Sequence, residues 1–227
     1  MTTNTDTYFE SMAREYDERT LRGLPRYEEM LGQIAAHLPD AAETILELGC
    51  GTGALTGMLA HRYPSAAIRA IDASAQMIEV AKERLARQGV LVGRVEFGVS
   101  LFEDLAMPDK AFDLVAANMS LHHLIDKRPF YAKIRGSLRA GGAFVFGDEL
   151  IGAMPDIERR HWDAWAEFAS QPGHLSQEEI DGIVQHVEQF DHYETLPRQL
   201  ELLVGPGFGQ VDCTWRYLNY AVFVAIP

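Results

Sequence analysis

Ile45-Leu-Glu-Leu-Gly-Cys-Gly-Thr-Gly53 is the stretch that decides the fold. A short apolar run ends at Leu48, glycines follow at 49, 51 and 53, and helix-favouring residues resume at Ala54. Glycines let the backbone turn sharply and come close to a ligand. The helix behind them offers unpaired N–H groups and the positive end of its dipole. A strand that runs into such a turn predicts an open parallel sheet with a ligand crevice at its carboxyl edge.

The flanking sequence repeats this alternation. Strands are expected at 43–48, 66–71, 92–99, 112–117 and 143–147, and helices at 54–62, at 74–88 with Ser74 as its cap, and at 126–139, ended by Gly141-Gly142. Strand–helix alternation implies crossover connections and a sheet covered on both faces. Before it, residues 8–20 and 25–38 read as two helices. After residue 150 the pattern changes to helices at 155–169, 176–189 and 195–204. The chain closes with strands at 209–214 and 217–225, a hairpin that must add an antiparallel strand. The expected organisation is an N-terminal helical cap over 1–40 and an α/β domain over 41–227. A helical lid is inserted in that domain at about 151–194.

Hydrophobic residues make up 47% of the 227, enough for a buried core. With Asp+Glu 33 against Lys+Arg 20, the net charge is −13, which repels a phosphate backbone and argues against nucleic acid as partner. Two cysteines, Cys50 and Cys213, give no disulfide framework. No apolar run is long enough to span a bilayer, and the expectation is a cytoplasmic protein, with a homodimer left open.

Two carboxylates accompany the glycines. Asp72 closes the second strand, where it can accept hydrogen bonds from ribose hydroxyls. Glu47 lies inside the first strand, a costly place for a carboxylate unless it is paired. Gly49-x-Gly51-x-x-Ala54 loosely fits a dinucleotide fingerprint. The third glycine, the carboxylate at 47 and the closing hairpin set it apart.

These residues resemble the class I S-adenosylmethionine (SAM)-dependent methyltransferases. The likeness rests on Glu47-x-Gly-x-Gly-x-Gly53, Asp72, Phe112-Asp-Leu-Val-Ala-Ala-Asn118 and Leu138-Arg-Ala-Gly-Gly-Ala-Phe144. A narrower likeness to the carboxy-SAM synthase group rests on Pro25-Arg-Tyr27, on Asn118-Met-Ser-Leu-His-His-Leu124 and on the tail from Trp215 to Val224. The family resemblance implies a Rossmann-like seven-stranded sheet, mostly parallel, and SAM as cofactor with S-adenosylhomocysteine as product. It implies methyl transfer to a small-molecule acceptor, with SAM modification as the alternative and a non-catalytic SAM-binding module as a third reading. It further implies that Gly49, Cys50, Gly51 and Gly53 hold the methionine part, Asp72 the ribose, and Ala73 and Met77 the adenine. Asn118 would face the sulfonium, and Tyr16 and Tyr27 would fold over from the N-terminal helices. The pair flanking the adenine aligns as Leu101-Phe102, without the acid common in the family.

Methyl transfer from an activated sulfonium needs in-line positioning and exclusion of water more than strong catalytic groups. His122 and His123 follow the fourth strand and suit proton transfer near neutral pH; a backbone-bonding role is the competing reading, and no metal is expected. Asp148 and Glu149 are expected to end the fifth strand and to orient an amine or accept a proton, unless they only cap or carry solvated charge. Trp162 and Trp165 make one apolar helix face, either core or the wall for a flat acceptor. His192 before the next helix, and Arg216 and Tyr217 in the hairpin, complete the candidate substrate contacts.

Overall fold

The computed structural model describes residues 13–90 and 93–227. In chain order the elements are α1 (Tyr16–Gly23), α2 (Tyr27–Ala36), β1 (Thr44–Leu48), α3 (Ala54–Arg62), β2 (Ala67–Asp72), α4 (Ala75–Arg87), β3 (Val95–Val99) and β4 (Phe112–Asn118). A 3-10 turn over Leu121–His123 leads into α5 (Lys127–Ser137) and β5 (Leu138–Ile151). Then come α6 (Pro155–Ala169), α7 (Gln177–Phe190), β6 (Glu194–Thr195), α8 (Leu196–Val204), β7 (Gln210–Tyr217) and β8 (Tyr220–Ile226).

The sheet runs β3-β2-β1-β4-β5-β8-β7, with the short β6 attached to β5. Strands β1 to β5 pair in parallel, and β8 lies antiparallel between β5 and β7. β1 pairs β2 on one side and β4 on the other, so the strand order reverses at β1 and a crevice opens beyond its carboxyl end. The expected seven-stranded, mostly parallel architecture is present, with two-residue β6 as an addition. Tight turning into β8 falls on Leu218 at φ +52°.

Alternation along β5 builds the core on both faces. Phe144 and Phe146 enter one cluster with Tyr131 and Phe223, while Ala143 and Val145 enter the other with Ile45, Leu114 and Trp165. Phe144 stacks on Phe146 at 4.5 Å and Phe146 on Phe223 at 5.0 Å between ring centroids. Burying one such ring is worth about 1.5–3 kcal/mol, so this row anchors the strand that carries two candidate site acids.

The cap expected at Ser74 is present, and α7 adds one that the sequence reading did not name. Ser74 Oγ accepts from Met77 N at 3.2 Å, and Ser176 with Glu179 forms a full capping box on α7. Three expectations are corrected. The first helix begins at Tyr16 among the described residues, and positions 8–12 lie outside them. Val92, the expected start of the third strand, also lies outside the described residues, and β3 begins at Val95. Gly141-Gly142 does not end a helix. α5 stops at Ser137, where Leu138 turns extended, and the glycines form an irregularity inside β5 opposite the register shift between Phe112 and Leu114. A Cβ on Gly142 would sit 3.0 Å from Asp113 O, so the pair permits close backbone approach. Asp148 and Glu149 consequently lie inside β5, opposite Ala221 and Tyr220 of β8.

Candidate active site

The glycine loop leaves β1 with Gly49, Gly51 and Gly53 all at positive φ, 66°, 51° and 82°. A Cβ at Gly49 would lie 2.3 Å from Ser120 Cβ, and one at Gly53 2.9 Å from Ala81 Cβ. Gly49 therefore lets the loop pass the β4 edge. Gly53 lets α3 approach α4 and does not face the cavity, a correction to its expected contact with the methionine part. Asp72 pins the loop, its Oδ2 accepting from Gly51 N at 2.7 Å and its Oδ1 from Ser74 N at 2.9 Å.

A crevice of about 550 Å³ lies over this loop, within the size range of small-molecule sites. Glu47, Gly49, Cys50, Gly51, Asp72, Ala73, Met77, Leu101, Phe102, Asn118 and Tyr16 line it, together with Tyr27 of α2. Asn118 Nδ2 donates to the Tyr27 hydroxyl at 3.3 Å. Two buried acceptors on this wall, Glu47 Oε2 and Asn118 Oδ1, have no hydrogen-bond partner among the described residues. An amino acid ammonium and a sulfonium are the complements that such a wall lacks, so these residues fit SAM. Ser100, Glu103 and Asp104 also line the crevice near Leu101 and can serve the adenine in place of the missing acid.

A second chamber, about 160 Å³, lies beneath α6 and α7. Leu24, Trp162, Trp165, Val187 and Tyr220 supply its apolar lining, and His122, His123, Glu149, His186, Asp191 and Tyr193 its polar lining. Tyr16, Met119 and His123 belong to both cavities, so crevice and chamber share a wall.

Residues 45–142, the span that contains the loop, Asp72 and Asn118, match the family described as "Methyltransferase domain". Over that span the chain is similar to a methyltransferase domain. Its relatives include a carboxy-S-adenosyl-L-methionine synthase of a Nitratiruptor species, 26% identical over 96% of this chain and 91% of that protein. The O-methyltransferase cnsE of Penicillium expansum is 39% identical over 59% of this chain and 48% of that protein. Among solved structures, the Haemonchus contortus phosphoethanolamine N-methyltransferase 2 in complex with SAM aligns at a TM-score of 0.70 and 14% identity, covering 99% of this chain and 60% of that one.

The chain places its charged residues at the chamber end of β4 and β5. His122 Nδ1 lies 2.6 Å from Asp148 Oδ1, and both side chains are buried. Burial alone would lower the His122 pKa; the charge and hydrogen bond of Asp148, with Asp191 and Glu149 behind, reverse that and raise it to about 9. Burial and the His122 cation both lower His123. Asp191 lies 3.0 Å from His123 Nδ1; burial pushes it up, yet the two imidazoles and Tyr193 bring it down to about 2. The Tyr193 hydroxyl sits 3.1 Å from Glu149 Oε2 and 2.8 Å from Asp191 Oδ2, with one proton to give. Burial pushes Glu149 up to about 8, so at neutral pH it holds a proton of its own and both contacts are satisfied.

Several expected residues find different stations. Asp148 lines neither cavity and acts through His122. Trp162 and Trp165 meet edge to face at 5.2 Å, and Trp165 also donates to Gly23 O at 2.9 Å, serving core and chamber together. His192 lines the crevice, held by its N–H to His122 O at 2.8 Å. Arg216 and Tyr217 line neither cavity. Arg216 Nε caps Leu218 O at 3.0 Å, and Tyr217 lies under the Arg26 guanidinium at 4.1 Å, because β7 is the sheet's outer edge. His186 and Asp191 were missed: they close the α7 side of the chamber, and only the polar run Asp191-His-Tyr193 after an apolar helix hinted at them. No helix among the described residues is long and apolar enough to cross a membrane.

Proposed function

We propose that this chain transfers the SAM methyl group to a small-molecule acceptor held in the chamber beneath α6 and α7. The observation that carries this reading is the wall shared by the two cavities, formed by Tyr16, Met119 and His123. A chamber next to the cofactor crevice and roofed by helices suits an enclosed metabolite better than a macromolecule. When bound, SAM supplies an activated methyl group on a sulfonium. The chain's own residues orient the acceptor, exclude water and accept its proton if it has one to lose. His123 is one of the residues of the shared wall, and burial, which lowers it, leaves its imidazole neutral near pH 7. In this reading residues 1–40 act as a cap and about 151–194 as a lid on a domain spanning 41–227, in a cytoplasmic enzyme whose partners are small molecules.

A second reading is favoured by the carboxy-SAM synthase likeness over nearly the whole chain. It would require a cation to hold an acidic co-substrate, and among the described residues Arg19 is the arginine or lysine that lines the chamber. Incubating the protein with SAM and candidate metabolites, followed by mass spectrometry, separates the two. S-adenosylhomocysteine with a methylated product supports methyl transfer. A SAM adduct heavier by a carboxyl group supports the alternative. SAM binding with neither product would point to a non-catalytic module.

A further inference from the structure

We propose that His122, His123 and Asp191 form a binding site for a divalent transition-metal cation in the wall of the acceptor chamber, with His186 beside it. The sequence expects no metal, because it shows only two adjacent histidines. The fold adds the rest by bringing the end of α7 against the turn after β4.

Three imidazoles converge on one carboxylate oxygen. Asp191 Oδ1 lies 3.0 Å from His123 Nδ1, 3.6 Å from His186 Nε2 and 3.9 Å from His122 Nε2. The ligating atoms of His122, His123 and Asp191 all fall within 4.8 Å of one another. Ligands bound at about 2.0–2.2 Å to one ion sit about 3–3.5 Å apart, so small side-chain adjustments close the set. Asp191 is buried, and its Oδ1 has no hydrogen-bond partner of good geometry among the described residues, although imidazole nitrogens surround it. That oxygen is the anionic donor that completes a set of imidazole ligands, with His123 Nδ1 already 3.0 Å away.

The surrounding residues add a second, independent argument. Asp148 holds His122 through Nδ1, which turns Nε2 toward Asp191. Carboxylate–histidine–metal arrangements use this same outer contact to fix the ring's tautomer and direction. Tyr193 secures Asp191 through its other oxygen, leaving Oδ1 for the cation. Two imidazoles and one carboxylate suit zinc, cobalt, iron or manganese rather than calcium or magnesium.

The open side of the site faces the chamber, where these same residues form the polar lining. Resting on the proposed methyl-transfer reading, the cation's role is to bind and orient a hydroxyl, enol or carboxylate oxygen of the acceptor at the shared wall.

The test uses the full-length chain stripped by a chelator and titrated with Zn²⁺ by calorimetry and with Co²⁺ by visible absorption. A single saturable equivalent, with imidazole-type cobalt bands, is expected. Asp191→Asn and His123→Gln should weaken it at least about tenfold. Circular dichroism and SAM affinity are read on the same samples. Absence of saturable binding to wild-type protein, or affinity unchanged in both variants, would overturn the site. Should the variants fail to fold, Co²⁺ must broaden the His122 and His123 imidazole signals of wild-type protein in NMR while leaving His37 and His61 sharp; equal broadening of all four overturns it. Cobalt bound without SAM binding would strike the methyl-transfer reading and leave the metal site standing.

Discussion

The carboxylate of Asp148 holds His122 Nδ1 at 2.6 Å and thereby decides that Nε2 faces the chamber. Asp148→Asn keeps the shape but offers an amide where an ionised acceptor stood, and the ring loses its fixed orientation. Turnover should fall about 10- to 100-fold while the SAM dissociation constant stays within about twofold, because Asp148 touches neither cavity. The pH–rate profile of the variant should also shift, as the acid that raises His122 is gone. An unchanged profile with unchanged turnover would make the pair merely structural.

Gly49→Ala should abolish SAM binding. The added methyl would meet Ser120 Cβ at 2.3 Å at a φ of 66°, so both the loop and the β4 edge must shift. Gly51→Ala at a similar φ meets nothing within 4 Å and serves as the control for conformational strain alone. Calorimetry with SAM on both variants checks this, and equal losses would mean that close packing is not what the first glycine supplies.

Glu47 sets a pH dependence for the cofactor. Burial raises its carboxyl from the ordinary 4.5 to about 8, with Thr56 pulling partly back and Asp72 adding to the rise. Between those values the folded chain holds a proton that the unfolded chain has lost. Its contribution to stability is therefore full below pH 4.5 and declines as pH climbs through 8. A cationic ligand favours the ionised form, so SAM affinity should increase from about pH 6 toward 8 and then level off, with proton release on binding. Calorimetry in two buffers of different ionisation heat measures the release. Glu47→Gln should flatten the trend.

Asp113 ties β4 to the segment before β1, accepting from Glu43 N and Thr44 N at 2.9 Å and from Arg139 Nη1 at 2.9 Å. Burial works against it, but the guanidinium and the two amides hold its pKa at about 2, below the ordinary 3.8. This contribution is present above pH 3.8 and disappears as pH falls toward 2. Asp113→Asn should cost about 1–2 kcal/mol at neutral pH, since the pair is partly exposed. The deficit should shrink on acidification, which urea unfolding at about pH 7 and about pH 3 would reveal.

The crevice was legible because its determinants are local. Glycines at alternate positions after an apolar strand read directly as a turn, and the acid at the end of the next strand as a ribose contact; its tether to Gly51 N appears only in the structure. Gly141-Gly142 misled because a glycine pair after a helical run also marks a helix end, and only the facing register shift shows it to be a strand irregularity. Tertiary proximity explains the other misses. His186 and Asp191 meet His123 through packing of the lid, and no spacing in the chain announces that meeting. Arg216 and Tyr217 looked promising by residue type, but the sheet order puts β7 outermost, a fact that periodicity does not carry.

The helix α1 is latched as well as packed. Asp17 accepts from the Thr52 hydroxyl at 2.5 Å, inside the glycine loop, and pairs with Arg84 of α4, while Tyr16 next to it lines both cavities. A ligand on either side would meet the same helical turn. Free-energy coupling is reciprocal, so whatever factor the nucleoside gains from a settled α1, the second ligand gains equally. A shared latch of this kind would tie the occupancy of the two cavities to a single element.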